Sequence, residues 1–401
     1  MNILQLTNKL PYPPKDGGSI ATLNMALGFA DLGHNITVLA MNTSKHYFNV
    51  GNIPAHIKEK IKIDDVKVDT EINYGAAIKN LLFSKMPYNA ERFISKDYNK
   101  KLVEVLKSDN FDIIQLEGLY LTPYIEEIKR HSTAPVALRA HNIEHEIWER
   151  ISAQKKSPLK KWYCYEIAKR VKKLKTNFIN KYDLLVPITE RDAERFNYLG
   201  NKKPVQVAPA GIDTKKLIPE PNKKDYPSIC HIGTLDWIPN QEGLTWFIKN
   251  VWKELSLLHP ELKFYIAGRN APNWINKIFD EKNIIFLGEI DNAYDFINKN
   301  DIMVVPLFSG SGIRVKIIEG MALGKAIITT SVGIEGISAI NGKEVIIEDS
   351  PKNFIKQIDD LIKNRKKIDE IGENAIKFAK KNFDNTNISA KLIDFYSKLL
   401  K

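Results

Sequence analysis

The sequence predicts two successive doubly wound α/β domains, each built on a parallel sheet. Short apolar segments alternate with helical segments along the whole chain, as in parallel-sheet proteins. The alternation starts again after a polar connector near 209–227. The length of 401 residues corresponds to two domains, or at most three, at about 150 residues each.

The first half contains a strand, turn, helix and strand unit at its start. A buried strand is followed by a Pro- and Gly-containing loop and a helix predicted over 19–32, which Gly33 ends. The longest predicted helix covers about 157–181. The predicted strands of this half are 2–7, 35–41, 61–68, 111–117, 135–140, 183–188 and 204–208.

The second half repeats the alternation and ends in a purely helical pattern over 351–401. Its predicted strands are 228–233, 262–267, 284–287, 301–306, 326–330 and 344–347, with helices near 240–256, 271–281, 292–299 and 314–323. We therefore predict an N-terminal domain over 1–208, a connector over 209–227 and a C-terminal domain over 228–382. A last helix, 383–401, has the N-terminal domain as its candidate packing partner.

The composition excludes several classes of protein. Hydrophobic residues make up 43% and charged residues 27%, so a disordered or small disulfide-rich protein is excluded. No apolar run approaches the roughly 18 to 20 residues of a membrane-spanning helix, and the first residues lack the pattern of a signal peptide. Cys164 and Cys230 are not in a metal or redox spacing. We expect a cytoplasmic protein.

The net charge of +11 is concentrated in one segment, 155–175. This segment carries nine basic residues and one acid, Glu166, with aromatic residues between them. It is compatible with an anionic membrane surface at the inner face of the cell membrane, and equally with a solvated helix face. The second half is nearly neutral, so we do not expect nucleic acid as a partner.

The stretch 306–330 carries the clearest chemical pattern. Gly310-Ser311-Gly312 follows a predicted strand and leads into a helix, a geometry in which backbone N–H groups can approach a phosphate. Arg314 and Lys316 stand in the first turn of that helix, where the helix dipole disfavours cations. They are therefore candidates to bind a ligand anion, with Glu319 one turn later placed for ribose hydroxyls.

This stretch resembles the nucleotide-sugar motif of family 4 glycosyltransferases, which have the GT-B fold of two Rossmann-like domains facing across a cleft. The strongest element is Lys316 to Thr330, in which Glu319-Gly320-Met321-Ala322 is similar to the E-A-M-A of the family. The resemblance implies that Glu319 binds the donor ribose and that Arg314 and Lys316 bind its diphosphate.

Other segments resemble the family in the same order. They include the opening with its glycine pair, the turn Ala210-Gly211-Ile212-Asp213, the strand and helix at 229–247, and a loop at 288–290 that corresponds to the one near the nucleotide base. On this resemblance and on the motif above, the candidate donor-binding residues are Gly17, Gly18, Gly233, Arg269, Gly288, Glu289, Gly310, Ser311, Gly312, Ile313 and Glu319.

His141 is the candidate catalytic residue of the N-terminal half, together with Arg314 and Lys316 of the other half. It follows a predicted strand and begins a helix, at the strand end where ligands bind in such sheets. By resemblance it corresponds to the family's histidine near the donor sugar. Glu117 and Arg139 end other strands and are candidates for the acceptor side.

Two departures from the family pattern concern the donor site. The family has a glutamate eight residues before the one that matches Glu319, and here that position is Ser311. The family's Gly-Arg pair after the first strand of the C-terminal domain is also missing, because Thr234 follows Gly233. Phosphate binding then falls to Arg314 and Lys316, with Arg269 in support.

The resemblance implies a retaining glycosyltransferase that moves a sugar from a nucleoside diphosphate sugar to a glycan or lipid-linked acceptor. No D-x-D pair is placed for a divalent metal, and no cofactor beyond the donor is expected. A GT-B epimerase or phosphorylase remains an alternative. A non-catalytic sugar-nucleotide-binding protein or a nucleic-acid-binding protein is the alternative of another class.

Overall fold

A computed structural model describes residues 1–220, 226–310 and 312–400 and divides the chain into two units. The first unit comprises Met1–Gly211 together with Asn385–Lys401, and the second comprises Ile212–Asp384. The division falls inside the segment where the sequence predicts the connector. The C-terminal helix lies in the first unit.

Each unit contains a parallel six-stranded sheet. The strands of the first unit are β1 (Asn2–Thr7), β2 (Asn35–Thr43), β3 (Lys62–Val68), β4 (Ile113–Glu117), β5 (Val136–Ala140) and β6 (Leu184–Pro187). Those of the second are β7 (Ser228–Ile232), β8 (Lys263–Ala267), β9 (Ile284–Phe286), β10 (Ile302–Val305), β11 (Ala326–Thr329) and β12 (Ile346–Ile347). The orders are β3-β2-β1-β4-β5-β6 and β12-β11-β10-β7-β8-β9, the same doubly wound order in both.

Helices connect these strands. In the first unit they are α1 (Gly17–Asp31), α2 (Ala55–Lys58), α3 (Tyr74–Phe83), α4 (Tyr88–Glu91), α5 (Lys96–Ser108), α6 (Ile125–His131), α7 (Glu144–Gln154), α8 (Pro158–Phe178) and α9 (Glu190–Tyr198). In the second they are α10 (Ile238–Phe247), α11 (Lys253–Leu258), α12 (Asn273–Phe279), α13 (Ala293–Asn298), α14 (Val315–Ala322), α15 (Pro351–Lys363) and α16 (Arg365–Phe383). A π-helical turn, Ile248–Trp252, joins α10 to α11, and α17 (Asn385–Leu399) returns to the first unit.

The strand predicted over 204–208 is wrong. Only one isolated bridge forms there, between Leu185 and Val205, with backbone bonds such as Leu185 N to Pro204 O at 2.9 Å. Pro204 begins this segment and has no N–H to donate, so the segment follows the edge of β6 without extending the ladder.

The central strands are buried because helices cover both faces of each sheet. β4, β5 and β10 are buried along their whole length, which explains their mainly apolar sequences. Helix α17 packs against α1 in the first unit, where Gly28 makes the close approach possible. A Cβ there would lie 2.2 Å from the Ser389 hydroxyl.

The shared strand order gives each sheet one place where the winding direction reverses. In the first unit this place lies between the ends of β1 and β4, and in the second between the ends of β7 and β10. Crevices that bind ligands form at the carboxyl ends of the strands at such points. The candidate site residues are therefore expected around these two positions, each within its own unit.

Candidate active site

The loop between β10 and α14 forms the centre of the candidate site in the second unit. Gly310 and Gly312 have φ of +104° and +76°, the left-handed region that favours glycine. A Cβ on Gly310 would lie 3.0 Å from the ring of Trp237, so the loop also passes close to that indole. Ser311 lies outside the described residues.

Lys316 points from the first turn of α14 to the end of β7. Its Nζ donates to the Ile232 carbonyl at 2.9 Å and to Asn240 Oδ1 at 2.8 Å. Burial, and then the positive charge of Arg314, lower the pKa of Lys316 to about 7. An anion bound here would favour the protonated ammonium, which is what a diphosphate site requires.

Arg314 caps the same helix and is almost fully buried. Its guanidinium donates to the Gly312 carbonyl and lies over the Trp237 ring, 5.8 Å from the centroid. The cation–π contact and the loop carbonyl hold the guanidinium beside the two glycines. Arg314, Lys316 and the glycine loop are thus brought together at the end of the sheet.

Glu319 lies one turn further along α14. The hydroxyl of Tyr294 donates to its Oε1 at 3.2 Å. Burial raises the pKa of Glu319 to about 7 although this hydrogen bond opposes the shift. The carboxylate therefore stands near its protonation midpoint at neutral pH, and hydroxyl donors from a ligand would stabilise its charged form.

Five further predicted donor-site residues lie in the second unit. Gly233 follows β7, and a Cβ there would lie 2.8 Å from Lys316 Nζ, so only glycine leaves room for the ammonium. The carbonyl of Gly288 accepts from Gly268 N at 2.8 Å, and that of Arg269 accepts from Leu235 N at 2.8 Å. Glu289 is exposed and Ile313 is half-buried.

His141 and Glu117 form a hydrogen-bonded pair in the first unit. His141 Nε2 lies 2.6 Å from Glu117 Oε2. Burial raises the pKa of Glu117, but Arg139 and His141 outweigh it and bring that pKa to about 2. An ionised carboxylate can only accept a hydrogen bond, so Nε2 of His141 is the donor in this pair.

The prediction that Arg139 lines the acceptor side is corrected by its position. Its side chain is 0% exposed, and its Nη1 donates to Glu117 Oε2 at 3.2 Å and to the Ala21 carbonyl at 3.1 Å. Paired strands β4 and β5 place Glu117 beside Arg139 in register. Arg139 is an internal counterion, and Glu117 is a buried support for His141 that contributes little exposed surface.

A pocket of about 350 Å³ opens above this pair at the ends of β1 and β4. Gly18, His141 and Glu117 all line it. Helix α1 begins at Gly17 after Asp16, whose carboxylate caps the helix and pairs with Lys9 at 2.6 Å. Gly18 therefore forms part of the wall of the same pocket as His141.

Sequence reasoning missed several residues of these sites. Trp237, Asn240 and Tyr294 contact Arg314, Lys316 and Glu319 respectively. These contacts are hard to predict from the sequence because each residue is separated from its partner by 25 or more positions along the chain. Among the described residues there is no group of three metal-ligating side chains and no helix long and apolar enough to cross a membrane.

Comparison with known proteins finds a family model that matches part of the second unit. Residues 226–364 match the family model of glycosyl transferases group 1. A protein of Klebsiella pneumoniae described as an uncharacterized 44.6 kDa protein in the cps region is 21% identical, over 97% of this chain and 98% of its own.

Solved structures share the fold over nearly the whole length. Anabaena HepE in complex with UDP and glucose has a TM-score of 0.68 at 14% identity, over 99% of this chain and 100% of its own. Sucrose-phosphate synthase from Thermosynechococcus elongatus has a TM-score of 0.72 at 13% identity, over 100% of this chain and 99% of its own.

These findings agree with the fold class and the recognition made from the sequence. The two parallel sheets with one strand order are those of the GT-B fold. The matched residues include β7 to β11 and the segment from Gly310 to Glu319. The chain therefore has the GT-B fold, matches the group 1 glycosyl transferase model over 226–364, and is an enzyme of the glycosyltransferase class.

Proposed function

We propose that this enzyme transfers a glycosyl group from a nucleoside diphosphate sugar to an acceptor hydroxyl with retention of configuration. The observation that carries the proposal is the position of Arg314 and Lys316 beside the Gly310–Gly312 loop, at the point of the second sheet where such folds bind ligands. That HepE was solved with UDP and glucose supports a nucleotide-sugar donor.

Charge develops on the diphosphate as the glycosidic bond to the donor breaks. Arg314, Lys316 and the amides of the glycine loop are positive or hydrogen-bond-donating groups fixed before the reaction, and such preorganised groups stabilise a leaving anion. They would neutralise the diphosphate without a divalent ion. Glu319 would accept hydrogen bonds from the ribose.

His141 would contact the sugar near the reacting carbon. Held by Glu117, its ring is oriented and can hydrogen-bond a sugar hydroxyl without moving. In a retaining transfer the acceptor attacks the face that the diphosphate leaves, so no protein nucleophile is needed. The alternative of an epimerase would need no acceptor.

The test combines binding and transfer. UDP-, GDP-, ADP- and dTDP-sugars are screened by thermal shift, because a ligand that binds only the folded state raises its melting temperature. The selected donor is then incubated with acceptors, and the anomeric configuration of the product is read by nuclear magnetic resonance. Lys316→Ala should lose binding and transfer, whereas Lys299→Ala, an exposed lysine on the same unit, should not.

Three results would contradict the proposal. No shift with any donor is one, and transfer by Lys316→Ala at the wild-type rate is another. Conversion of the donor sugar in the absence of an acceptor would indicate an epimerase instead.

We place this activity in polysaccharide or lipid-linked glycan synthesis at the inner face of the cell membrane. The cps-region relative supports the first part. For the second, α3 has four large apolar side chains that are 60–82% exposed: Tyr74, Ile78, Leu82 and Phe83. Such a helix face has no evident role in a protein that is surrounded by water on all sides.

Helix α8 lies next to α3 and supplies the positive charge. Arg170 of α8 donates to the carbonyls of Leu81 and Ser84 at 2.7 and 2.9 Å, which fixes the two helices together. Leu159, Trp162 and Tyr165 of α8 are exposed among lysines. Apolar side chains with flanking lysines are typical of a helix that lies on an anionic bilayer.

Not all of the basic segment 155–175 is available for such contact. Arg170 serves α3, and Lys175 is buried and pairs with Glu144 at 2.8 Å. Sedimentation with vesicles of phosphatidylcholine and phosphatidylserine tests the surface. The double variant Leu82→Ser/Phe83→Ser should lose pelleting, and Leu257→Ser, an equally exposed leucine of the second unit, should retain it. Equal pelleting of both variants would favour a solvated helix face.

A further inference from the structure

We propose that the pocket of the first unit binds an acceptor sugar that carries an anionic group, either a carboxylate or a phosphate. The role of this sugar as acceptor rests on the proposed glycosyl transfer, but its binding does not. The inference comes from how charge, hydroxyls and aromatic rings are distributed around the 350 Å³ cavity.

The order of the strands sets the order of the lining residues. His141 follows β5, whereas Thr43 ends β2 and Lys45 follows it. Three strand spacings separate β2 from β5, roughly 14 Å at about 4.8 Å each. One side of the pocket therefore holds His141 and Gly18, and the other side holds cations.

The carboxylates at the pocket already have counterions. Glu117 pairs with Arg139 at 3.2 Å, and Glu144 pairs with Lys175 at 2.8 Å. Asp16, at the start of α1, pairs with Lys9. This pair lowers the pKa of Asp16 to about 2, although burial alone would raise it.

Two cations that line the pocket, Lys45 and Arg92, belong to none of these pairs. Lys45 is exposed and has no carboxylate partner among the described residues. Arg92 donates to the Thr70 carbonyl and lies over the ring of Tyr88, 5.6 Å from its centroid, so its charge is held in place but not neutralised by a carboxylate. The pocket thus carries a surplus of positive charge on the side away from His141.

The remaining walls are suited to a sugar ring. Phe93 and Tyr120 stack at 5.6 Å with an interplanar angle of 8° and both line the pocket. Aromatic faces pack against the C–H faces of sugars in the same way as against other apolar groups. The hydroxyls of Thr7 and Thr43 are buried without a hydrogen-bond partner in the described chain, a cost that sugar hydroxyls would relieve.

The arrangement points to one orientation of the ligand. A carboxylate or phosphate on the sugar would contact Lys45 and Arg92, and the hydroxyl that accepts the glycosyl group would lie towards His141. A neutral hexose would leave the surplus charge without a counterion, so the pocket should distinguish the two by charge.

The experiment measures binding of glucuronate, glucose 1-phosphate and glucose by ligand-observed nuclear magnetic resonance at low salt. Saturating UDP is present to occupy the donor site. We expect the anionic sugars to bind about tenfold more tightly than glucose, since two ion pairs of this exposure are together worth about one decade. Lys45→Ala should reduce this preference, and Lys45→Glu should abolish it. Lys67→Glu, an exposed charge change on β3 outside the pocket, should leave it unchanged.

Preference for glucuronate alone, or for glucose 1-phosphate alone, would each support the inference and would identify the anionic group. Equal affinity for all three sugars would overturn it, and so would a preference that survives Lys45→Glu. Because no transfer is measured, saturable and charge-dependent binding supports the inference even where the transfer assay fails. Transfer to neutral acceptors without any charge preference would overturn the inference and leave the proposed function intact.

Discussion

The charge of Glu117, which holds His141 by a hydrogen bond, allows a quantitative test of how much it stabilises the fold. Its carboxylate accepts from Gln5 at 2.6 Å, from Arg139 at 3.2 Å and from His141 at 2.6 Å, with a side chain that is 2% exposed. The pKa of Glu117 falls from its ordinary 4.5 to about 2. At 1.36 kcal/mol per pKa unit, the charged form stabilises the fold by about 3 kcal/mol.

The sign of this contribution fixes its pH range. Because the folded pKa is lowered, the stabilisation is fully present above pH 4.5 and is lost as the pH falls towards 2. Glu117→Gln removes the charge at nearly constant shape and leaves the buried Arg139 without a counterion. We expect its free energy of unfolding to be about 3 kcal/mol below that of the wild type at pH 7, with the difference shrinking below pH 4.5.

Urea unfolding followed by tryptophan fluorescence measures this, with Trp148 and Trp162 as reporters in the first unit. Glu126→Gln is the matched control, because Glu126 pairs with Lys181 at the surface and should be silent. A loss below about 1 kcal/mol at pH 7 would refute the reasoning. A loss that is the same at pH 6 and pH 3.5 would refute the assignment to charge.

Three further predictions concern the donor site. Lys316 has a pKa of about 7, so at pH 8 its amine should take up a proton when UDP binds. Calorimetry in buffers of different ionisation enthalpy should show this proton uptake in the wild type and not in Lys316→Met. Tyr294→Phe removes a hydrogen bond that lowers the pKa of Glu319, so more of the Glu319 carboxylate should be protonated at pH 7. UDP affinity should therefore fall about threefold at pH 7 and recover at pH 9, where the carboxylate is charged. A loss of affinity that does not depend on pH would contradict this. Gly233→Ala places a methyl group 2.8 Å from Lys316 Nζ and 2.7 Å from Asn240 Nδ2, so UDP affinity should fall while the melting temperature changes little, and unchanged affinity would show that the ammonium is not needed.

The strand pattern was predictable because both sheets are buried on both faces. The segment 302–305 is apolar throughout, 113–117 is mainly apolar, and this signal is local in the sequence. The segment 204–208 has the same apolar character but only bridges the edge of β6. Whether an apolar segment enters a ladder depends on a partner edge that its own sequence does not contain.

The positions of the chemical groups were predictable and their partners were not. A charge at the carboxyl end of a parallel strand can contact a ligand or can be an internal counterion, and the local sequence is the same in both cases. Glu117 and Arg139 stand 22 positions apart and become neighbours only through the register of β4 and β5. Arg139 is therefore internal although its place in the sequence resembles that of His141.

The distinction between internal counterions and charges available to a ligand also applies to the basic segment 155–175. Lys175 is buried against Glu144, and Lys172, three positions earlier on the same helix, is exposed. A cation with a carboxylate at hydrogen-bond distance and no access to water has its charge balanced inside the fold, and changing it alters stability first. A cation at a pocket without such a partner, as Lys45 is, has charge available for a ligand, and changing it should alter binding and leave stability nearly constant. Stability and affinity measured on the same variants therefore separate structural charges from functional ones in this enzyme.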